Sequence, residues 1–186
     1  LLESAENDQR LGRYTFLGYA PSYEITCLDG RLTVRSVIRR GERKVASRNV
    51  THPATYLREL LAKYRSPQLE GFPPFCGGLV GYFSYDYLKY AEPTLKCDEA
   101  GKTDFLDMDL MLFDRLICID SYRQRVILMC GVSGDDVEAS YAQAEKTLDE
   151  MEETITHGER KQFEPLHLER ELTPLYPRER YIEMDS

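Results

Sequence analysis

The sequence lacks the residue patterns that most often mark catalytic and metal sites. Its 186 residues include three histidines and five cysteines, with no CxxC pair and no histidine spacing typical of metal ligands. It contains neither a GxSxG motif nor a glycine-rich phosphate loop. We therefore expect no catalytic residues, no metal and no cofactor in this chain.

Long apolar runs and a basic character are also missing. No run approaches the roughly 20 residues that cross a bilayer, and the net charge of −8 disfavours nucleic acid and anionic membranes as partners. The odd number of cysteines, most of them in apolar stretches, predicts free thiols in a reduced, cytoplasmic protein. Leu1 stands inside an apolar stretch, so we expect the natural N-terminus to precede it, which leaves a targeting segment open.

The apolar residues that are present predict an α+β fold, with a mainly antiparallel sheet packed against two or three helices. The Asp29-Gly30 dipeptide predicts a tight hairpin turn. The expected strands cover residues 14–20, 23–28, 31–38, 44–48, 75–84, 109–120 and 125–132. The expected helices cover residues 51–64, with Thr51 as the N-cap, 85–91 and 134–156. The second of them is expected to carry Tyr87, Leu88 and Tyr90 on its inward face.

Two further patterns give expectations about burial. The third helix has an apolar stripe at helical spacing, which predicts core residues at Val137, Tyr141, Ala144, Leu148, Met151 and Ile155. Three acids, Asp104, Asp107 and Asp109, precede or begin a strand, and we interpret them as a solvated loop in preference to a cation site.

A change in composition at Glu159 predicts a domain boundary. Glutamate, arginine, lysine and proline dominate from there on, and the apolar residues are isolated. We expect one domain over residues 1–158, and a linker over residues 159–186 that leads into a further domain. Residues 177–184 resemble the first turns of a helix that the chain does not complete.

The first residues contain the best candidate for a binding site. Glu3 and Ser4 end an apolar run, and Arg13 begins the next one. A carboxylate, a hydroxyl and a guanidinium that converge there can hold a small zwitterion, with its ammonium on Glu3 and its carboxylate on Arg13 or Ser4. The alternative is that Glu3 and Arg13 pair with each other across the loop, which would contribute little.

Three segments in this order resemble the N-terminal domain of anthranilate synthase component I. They are LLES at residues 1–4, GRYTFLG at residues 12–18 and PFCGGLVGYFSYDY at residues 74–87. In that family LLES forms part of the feedback site for L-tryptophan, so the resemblance implies Leu2, Glu3 and Ser4 at that pocket. Arg13 falls near a basic position of the pocket, although the intervening loop differs in length.

The resemblance also implies an activity and partners for a longer parent protein. The family converts chorismate and ammonia to anthranilate and pyruvate, with chorismate and magnesium bound in a C-terminal domain. A glutamine amidotransferase subunit, component II, supplies the ammonia. We expect the present chain alone to be inactive. Two alternatives stay open: para-aminobenzoate synthase component I, which shares the scaffold, and a stand-alone small-molecule binding module.

Overall fold

A computed structural model describes residues 1–3, 12–36, 44–92, 94 and 104–159. The chain divides into a compact unit of residues 1–156 and a second unit of residues 157–186. Its described part holds two antiparallel sheets and three α-helices. The α+β prediction is therefore confirmed, while the predicted domain boundary at residue 158 stays a prediction.

The larger sheet has five strands in the order β4-β3-β2-β6-β5. Their bounds are β2 (Tyr23–Leu28), β3 (Arg31–Ser36), β4 (Val45–Asn49), β5 (Gly78–Phe83) and β6 (Met108–Phe113). The hairpin between β2 and β3 turns at Asp29 and Gly30, with φ angles of 47° and 78°. Both values are positive, as a type I′ turn requires, so the predicted hairpin is confirmed.

Helix α1 (Pro53–Lys63) covers one face of this sheet. Its buried Leu57 and Leu60 join a core of strand residues, namely Ile25, Cys27, Leu32, Met108 and Leu110. The helix begins with Pro53 at its first turn, and the N-cap is His52, which makes no side-chain capping hydrogen bond. The prediction of Thr51 as the cap was wrong because the helix starts one residue later, where the fixed φ of proline suits the first helical position.

The smaller sheet has three strands in the order β1-β7-β8. They are β1 (Tyr14–Gly18), β7 (Arg115–Asp120) and β8 (Arg125–Cys130). The buried Leu116, Cys118 and Met129 form its core, against which aromatic side chains pack, among them Phe16 and Phe75. The rings of Phe16 and Phe75 meet edge to face with centroids 5.6 Å apart.

The single strand predicted over residues 109–120 is two strands in different sheets. The chain leaves β6 at Phe113, passes Asp114 and enters β7 at Arg115. The Asp114 carboxylate accepts a hydrogen bond from the Ser22 hydroxyl at 2.6 Å, and its carbonyl accepts one from the Gly131 N–H at 2.7 Å. These bonds replace the ladder contacts that a continuous strand would make at this residue.

The second helical segment consists of a 3₁₀ turn (Tyr85–Tyr87) followed by α2 (Leu88–Ala91). Tyr87 and Tyr90 pack against the core of the larger sheet, as predicted. Leu88, predicted to point inward, is exposed. Since the 3₁₀ turn advances by fewer residues per turn than an α-helix, the α-helical spacing placed Leu88 on the wrong face.

Helix α3 (Val137–His157) buries only the middle of the predicted stripe, where Ala144 and Met151 are buried as expected and Leu148 is half-buried. Its buried residues are Ala144, Thr147 and Met151, whereas Val137, Tyr141 and Ile155 are exposed. Thr147 was missed because its hydroxyl is polar. It donates a hydrogen bond to the Gln143 carbonyl at 2.9 Å, which satisfies it inside the buried stripe.

Four of the five cysteines lie in the described part, and none of these four is in a disulfide. They are Cys27, Cys76, Cys118 and Cys130, while Cys97 lies outside the described residues. Within the same ranges, no helix has the length and apolar character that a bilayer crossing requires.

Candidate functional site

Leu2 joins the free edge of β1 through its backbone. The Leu2 N–H donates to the Phe16 carbonyl at 2.8 Å, and the Phe16 N–H donates to the Leu2 carbonyl at 2.9 Å. This antiparallel bridge aligns Glu3 with Thr15. Both Leu2 and Glu3 are exposed. They therefore lie at the surface beside one edge of β1, whose other edge pairs with β7.

Arg13 precedes β1 and is bound to a buried carboxylate. Its Nε donates to Asp120 Oδ1 at 2.9 Å, and its Nη2 donates to Asp120 Oδ2 at 2.8 Å. Asp120 ends β7 with a side chain that is 0% exposed, and it accepts a further hydrogen bond from the Arg123 N–H at 3.1 Å. The described partner of Arg13 is therefore Asp120, and not Glu3 as the alternative interpretation of the sequence had it.

Two tyrosines flank this ion pair. The Arg13 guanidinium carbon lies 4.7 Å from the centre of the Tyr14 ring and 5.4 Å from that of Tyr122. The hydrogen bonds from Arg13 hold the pKa of Asp120 well below its usual range. The same pairing raises the pKa of Arg13. A two-pronged arginine–carboxylate contact fixes the side chain in one orientation.

The four residues predicted for the site do not all lie together in the described structure. Leu2 and Glu3 run alongside β1, and Arg13 leads into the same strand. Ser4 lies outside the described residues. Sequence reasoning missed Asp120, whose only signal was a carboxylate that ends the apolar run of residues 116–119.

A second charged cluster links the larger sheet to α2. The Asp107 side chain accepts hydrogen bonds from Lys89 Nζ at 2.7 Å, from the Tyr90 hydroxyl at 2.6 Å and from the Asp29 N–H at 2.8 Å. Lys89 also donates to Asp29 Oδ1 at 2.9 Å, and the Tyr90 hydroxyl accepts from the Gly30 N–H at 2.6 Å. The expectation that Asp107 lies in a solvated loop was wrong, because the residue is 2% exposed.

The cluster holds one cation, Lys89, between the carboxylates of Asp107 and Asp29, and both Asp107 oxygens accept hydrogen bonds. Burial opposes the charge on Lys89, but the hydrogen bonds that Lys89 donates to Asp107 and Asp29 outweigh burial and raise the pKa of Lys89. Burial, and next the hydrogen bond to Asp107, raise the pKa of the Tyr90 hydroxyl. Lys89 therefore stays charged and Tyr90 neutral at physiological pH, which suits a structural tie between the β2–β3 turn and α2.

The part of the chain that the structure describes contains no set of side chains suited to bind a metal ion. No group of three or more histidine, cysteine, aspartate or glutamate side chains lies close enough to hold an ion there. Asp107 is engaged as above, Asp109 lies in β6, and Asp104 is exposed.

Comparison with known proteins gives a consistent set of relatives, although no family model matches the chain. It is 30% identical over 159 residues to anthranilate synthase component 1 of Acinetobacter calcoaceticus, covering 83% of this chain and 31% of the relative. The protein of that name from Pseudomonas aeruginosa is 29% identical over 163 residues, covering 84% and 32%. That from Synechocystis is 30% identical over 148 residues, covering 77% and 28%.

A solved structure agrees on the fold. Anthranilate synthase component I from Streptococcus pneumoniae TIGR4 superposes with a TM-score of 0.55 and 22% sequence identity, over 83% of this chain and 31% of that one. The chain thus spans about a third of the length of the relatives that it matches. The resemblance predicted from the three sequence motifs is confirmed by these homologues.

Proposed function

We propose that this chain is the regulatory N-terminal domain of an anthranilate synthase component I and contributes half of its tryptophan feedback site. The parent would act in tryptophan biosynthesis and convert chorismate and ammonia to anthranilate and pyruvate. One observation carries the proposal: a relative of that name aligns with 83% of the chain at 30% identity.

The exposed end of the Leu2 strand is the proposed inhibitor site. The bridge to Phe16 fixes the backbone there, so the Glu3 carboxylate extends from a positioned segment, and Ser4 follows Glu3 in the sequence. An amino-acid inhibitor would place its ammonium on Glu3 and its carboxylate on Ser4. The rest of the parent would supply the other half of the pocket.

Arg13 has an indirect part in this proposal. Its Nε and Nη2 are both committed to Asp120, so only the remaining nitrogen, Nη1, lies outside this pair of hydrogen bonds. The pair ties the start of β1 to the end of β7. We therefore assign Arg13 to positioning the edge strand that Leu2 joins, with a contribution to the positive potential beside the inhibitor's carboxylate.

The chemistry belongs to the rest of the parent in this proposal. Chorismate and magnesium would bind there, since the described residues offer no set of three metal ligands. A glutamine amidotransferase subunit, component II, would deliver the ammonia, and the present chain alone would be inactive. Inhibition would then be a shift in population: bound tryptophan favours an arrangement of the parent with poor turnover.

The relatives also bear on the alternatives. Those reported above carry the name anthranilate synthase component 1, which favours the anthranilate branch over para-aminobenzoate. Their threefold greater length favours a part of a larger enzyme over a stand-alone binding module.

Inhibition of the full-length parent by tryptophan tests the proposal. Glu3→Ala and Ser4→Ala are each expected to raise the inhibition constant about ten- to a hundredfold, because a hydrogen bond to a charged group contributes about 1.5–3 kcal/mol. Turnover without tryptophan should stay nearly unchanged. Glu70→Ala, which removes an exposed glutamate from the segment before β5, is the matched control.

Two results would count against the proposed function. If the parent forms no anthranilate from chorismate and ammonia in the presence of magnesium, the proposed function is wrong. Wild-type inhibition in both the Glu3 and the Ser4 variants would leave the activity in place and reduce LLES to an ordinary strand.

A further inference from the structure

The two edges of the larger sheet differ in how they are protected. Strand β4 forms one edge, is exposed throughout, carries Arg48 and follows Lys44. Strand β5 forms the other edge and pairs with β6 alone among the strands described. Its sequence, GLVGYF, contains no charged residue and no proline. Natural sheets usually protect their edges with charges, proline or bulges, and an unprotected edge accepts another strand.

The edge of β5 that no described strand pairs with presents a row of backbone donors. The Ser84 N–H donates to the Asp107 carbonyl at 2.9 Å, and the register continues without a bulge from Gly78 to Phe83. Since the amides of an antiparallel strand point alternately to either side, those of Leu79, Gly81 and Phe83 point away from β6.

Exposed aromatic side chains lie beside this edge. Phe83 and Phe105 are 51% and 60% exposed, and Tyr85 is 89% exposed. The rings of Tyr82 and Phe105 are in contact, with centroids 5.2 Å apart. Tyr82 and Phe83 project to opposite faces of the sheet because they are neighbours on one strand. An incoming strand would therefore find apolar surface on both faces.

We propose that β5 pairs with a strand from the part of the parent polypeptide that lies outside this chain. This inference rests on the proposed function, because the homologues are about three times as long as the matched segment. The backbone amides of β5 supply the pairing, and the exposed rings supply apolar contact, as in strand addition to a sheet edge generally. Docking at this edge would keep the parent's two parts in a defined orientation.

Amide hydrogen exchange tests the pairing directly. Exchange is measured on the 186-residue chain and on the full-length parent under the same conditions. The Leu79, Gly81 and Phe83 amides are expected to exchange at least about tenfold more slowly in the parent. The amides of β4 that point away from β3 are the internal control and should exchange equally in both.

A pair of variants separates strand pairing from general stability. Tyr82→Lys places a charge on the edge, whereas Tyr82→Thr removes the ring but keeps a side chain suited to strands. In the parent, Tyr82→Lys is expected to return exchange at Leu79 and Phe83 to the rates of the isolated chain, and Tyr82→Thr to retain most of the protection. Both variants of the isolated chain should unfold at the same denaturant concentration, within error.

Three outcomes overturn the inference. Equal exchange of these amides in the chain and in the parent would show that no strand is added. Slow exchange already present in the isolated chain would show that the chain itself or a second copy fills the edge, and the mass in solution tells these two apart. Equal protection in the two Tyr82 variants would show that the edge is shielded without pairing.

The failure of this inference is distinguishable from that of the proposed function, because anthranilate formation is measured on the same preparation of the parent. An active parent with unprotected β5 amides overturns strand pairing and leaves the function standing. An inactive parent with protected amides does the reverse.

Discussion

Gly81 is the described glycine at which an added methyl group is expected to have the largest effect on this fold. A Cβ placed there would lie 2.0 Å from the Asp109 carbonyl oxygen and 2.8 Å from Leu110 Cα, and the backbone φ is +158°. Both neighbours are backbone atoms of β6, so no side chain can rotate away to make room. Gly81→Ala must therefore push β5 away from β6.

The cost follows from how far the strand has to move. Ordinary contact of a Cβ with another heavy atom begins near 3.4 Å, so relief of the clash needs a displacement of about 1.4 Å. A hydrogen bond near 2.9 Å stretched by that amount is no longer formed. Loss of two ladder bonds at about 1 kcal/mol each, together with about 1–3 kcal/mol for a conformation that suits glycine, gives about 3–5 kcal/mol. That is a large fraction of a typical domain stability of about 5–15 kcal/mol.

Gly134→Ala is the matched control. A Cβ at Gly134 meets nothing within 4 Å, and no left-handed φ is found there. This substitution should leave stability unchanged or raise it by up to about 1 kcal/mol, because it restricts the unfolded chain. Urea unfolding followed by far-ultraviolet circular dichroism measures both, since the chain has no tryptophan to serve as a fluorescent reporter. A loss below about 1 kcal/mol for Gly81→Ala would refute the close packing of β5 on β6.

Three further predictions concern the buried charges and the thiols. Asp107→Ala should lower the free energy of unfolding in urea by about 2–4 kcal/mol, because it leaves buried donors without an acceptor. The control, Asp104→Ala, should lower it by less than about 0.5 kcal/mol. Equal effects of the two substitutions would contradict the structural role of Asp107. The pKa of Asp120 is lower in the folded state, so its stabilisation is complete above the unfolded pKa of about 3.9 and is lost as the pH falls toward the folded value. Asp120→Asn should flatten that acid limb of the stability–pH profile, and an unchanged slope would count against the ion pair. Mass spectrometry of unreduced protein should find five free thiols, with exposed Cys76 alkylated before buried Cys118, whose pKa burial raises to about 11; a stoichiometric disulfide would overturn this prediction.

The features that could be predicted from the sequence are those that local chemistry determines. The Asp29-Gly30 turn has the two residues that tolerate positive φ, and the alternating residues on either side of it form β2 and β3 as expected. The resemblance of three short motifs to one family could also be recognised from the sequence, because the residues of each motif are contiguous.

The features that could not be predicted depend on contacts distant in sequence. Asp107 and Asp120 look like surface acids in the sequence because each lies next to an apolar run. In the fold, however, Asp107 is paired with Lys89, which is 18 positions away, and Asp120 with Arg13, which is 107 positions away. The break at Asp114 depends on Ser22, which is 92 residues away. No periodicity of a local segment carries that information, so a single strand was expected over residues 109–120, where the structure has β6 and β7 in different sheets.

A continuous path of paired or joined strands connects the two candidate surfaces, which are the segment around Leu2 and the outer edge of β5. Leu2 bonds to β1, β1 pairs with β7, and β7 is joined through Asp114 to β6, which pairs with the β5 edge. A connected path does not by itself couple two sites. Coupling requires that an inhibitor at Glu3 bind one of two arrangements of the parent more tightly. If the strand on β5 differs between those arrangements, tryptophan added to the parent should change exchange at Leu79 and Phe83, and an unchanged rate at saturating tryptophan would confine the regulation to the contacts around LLES.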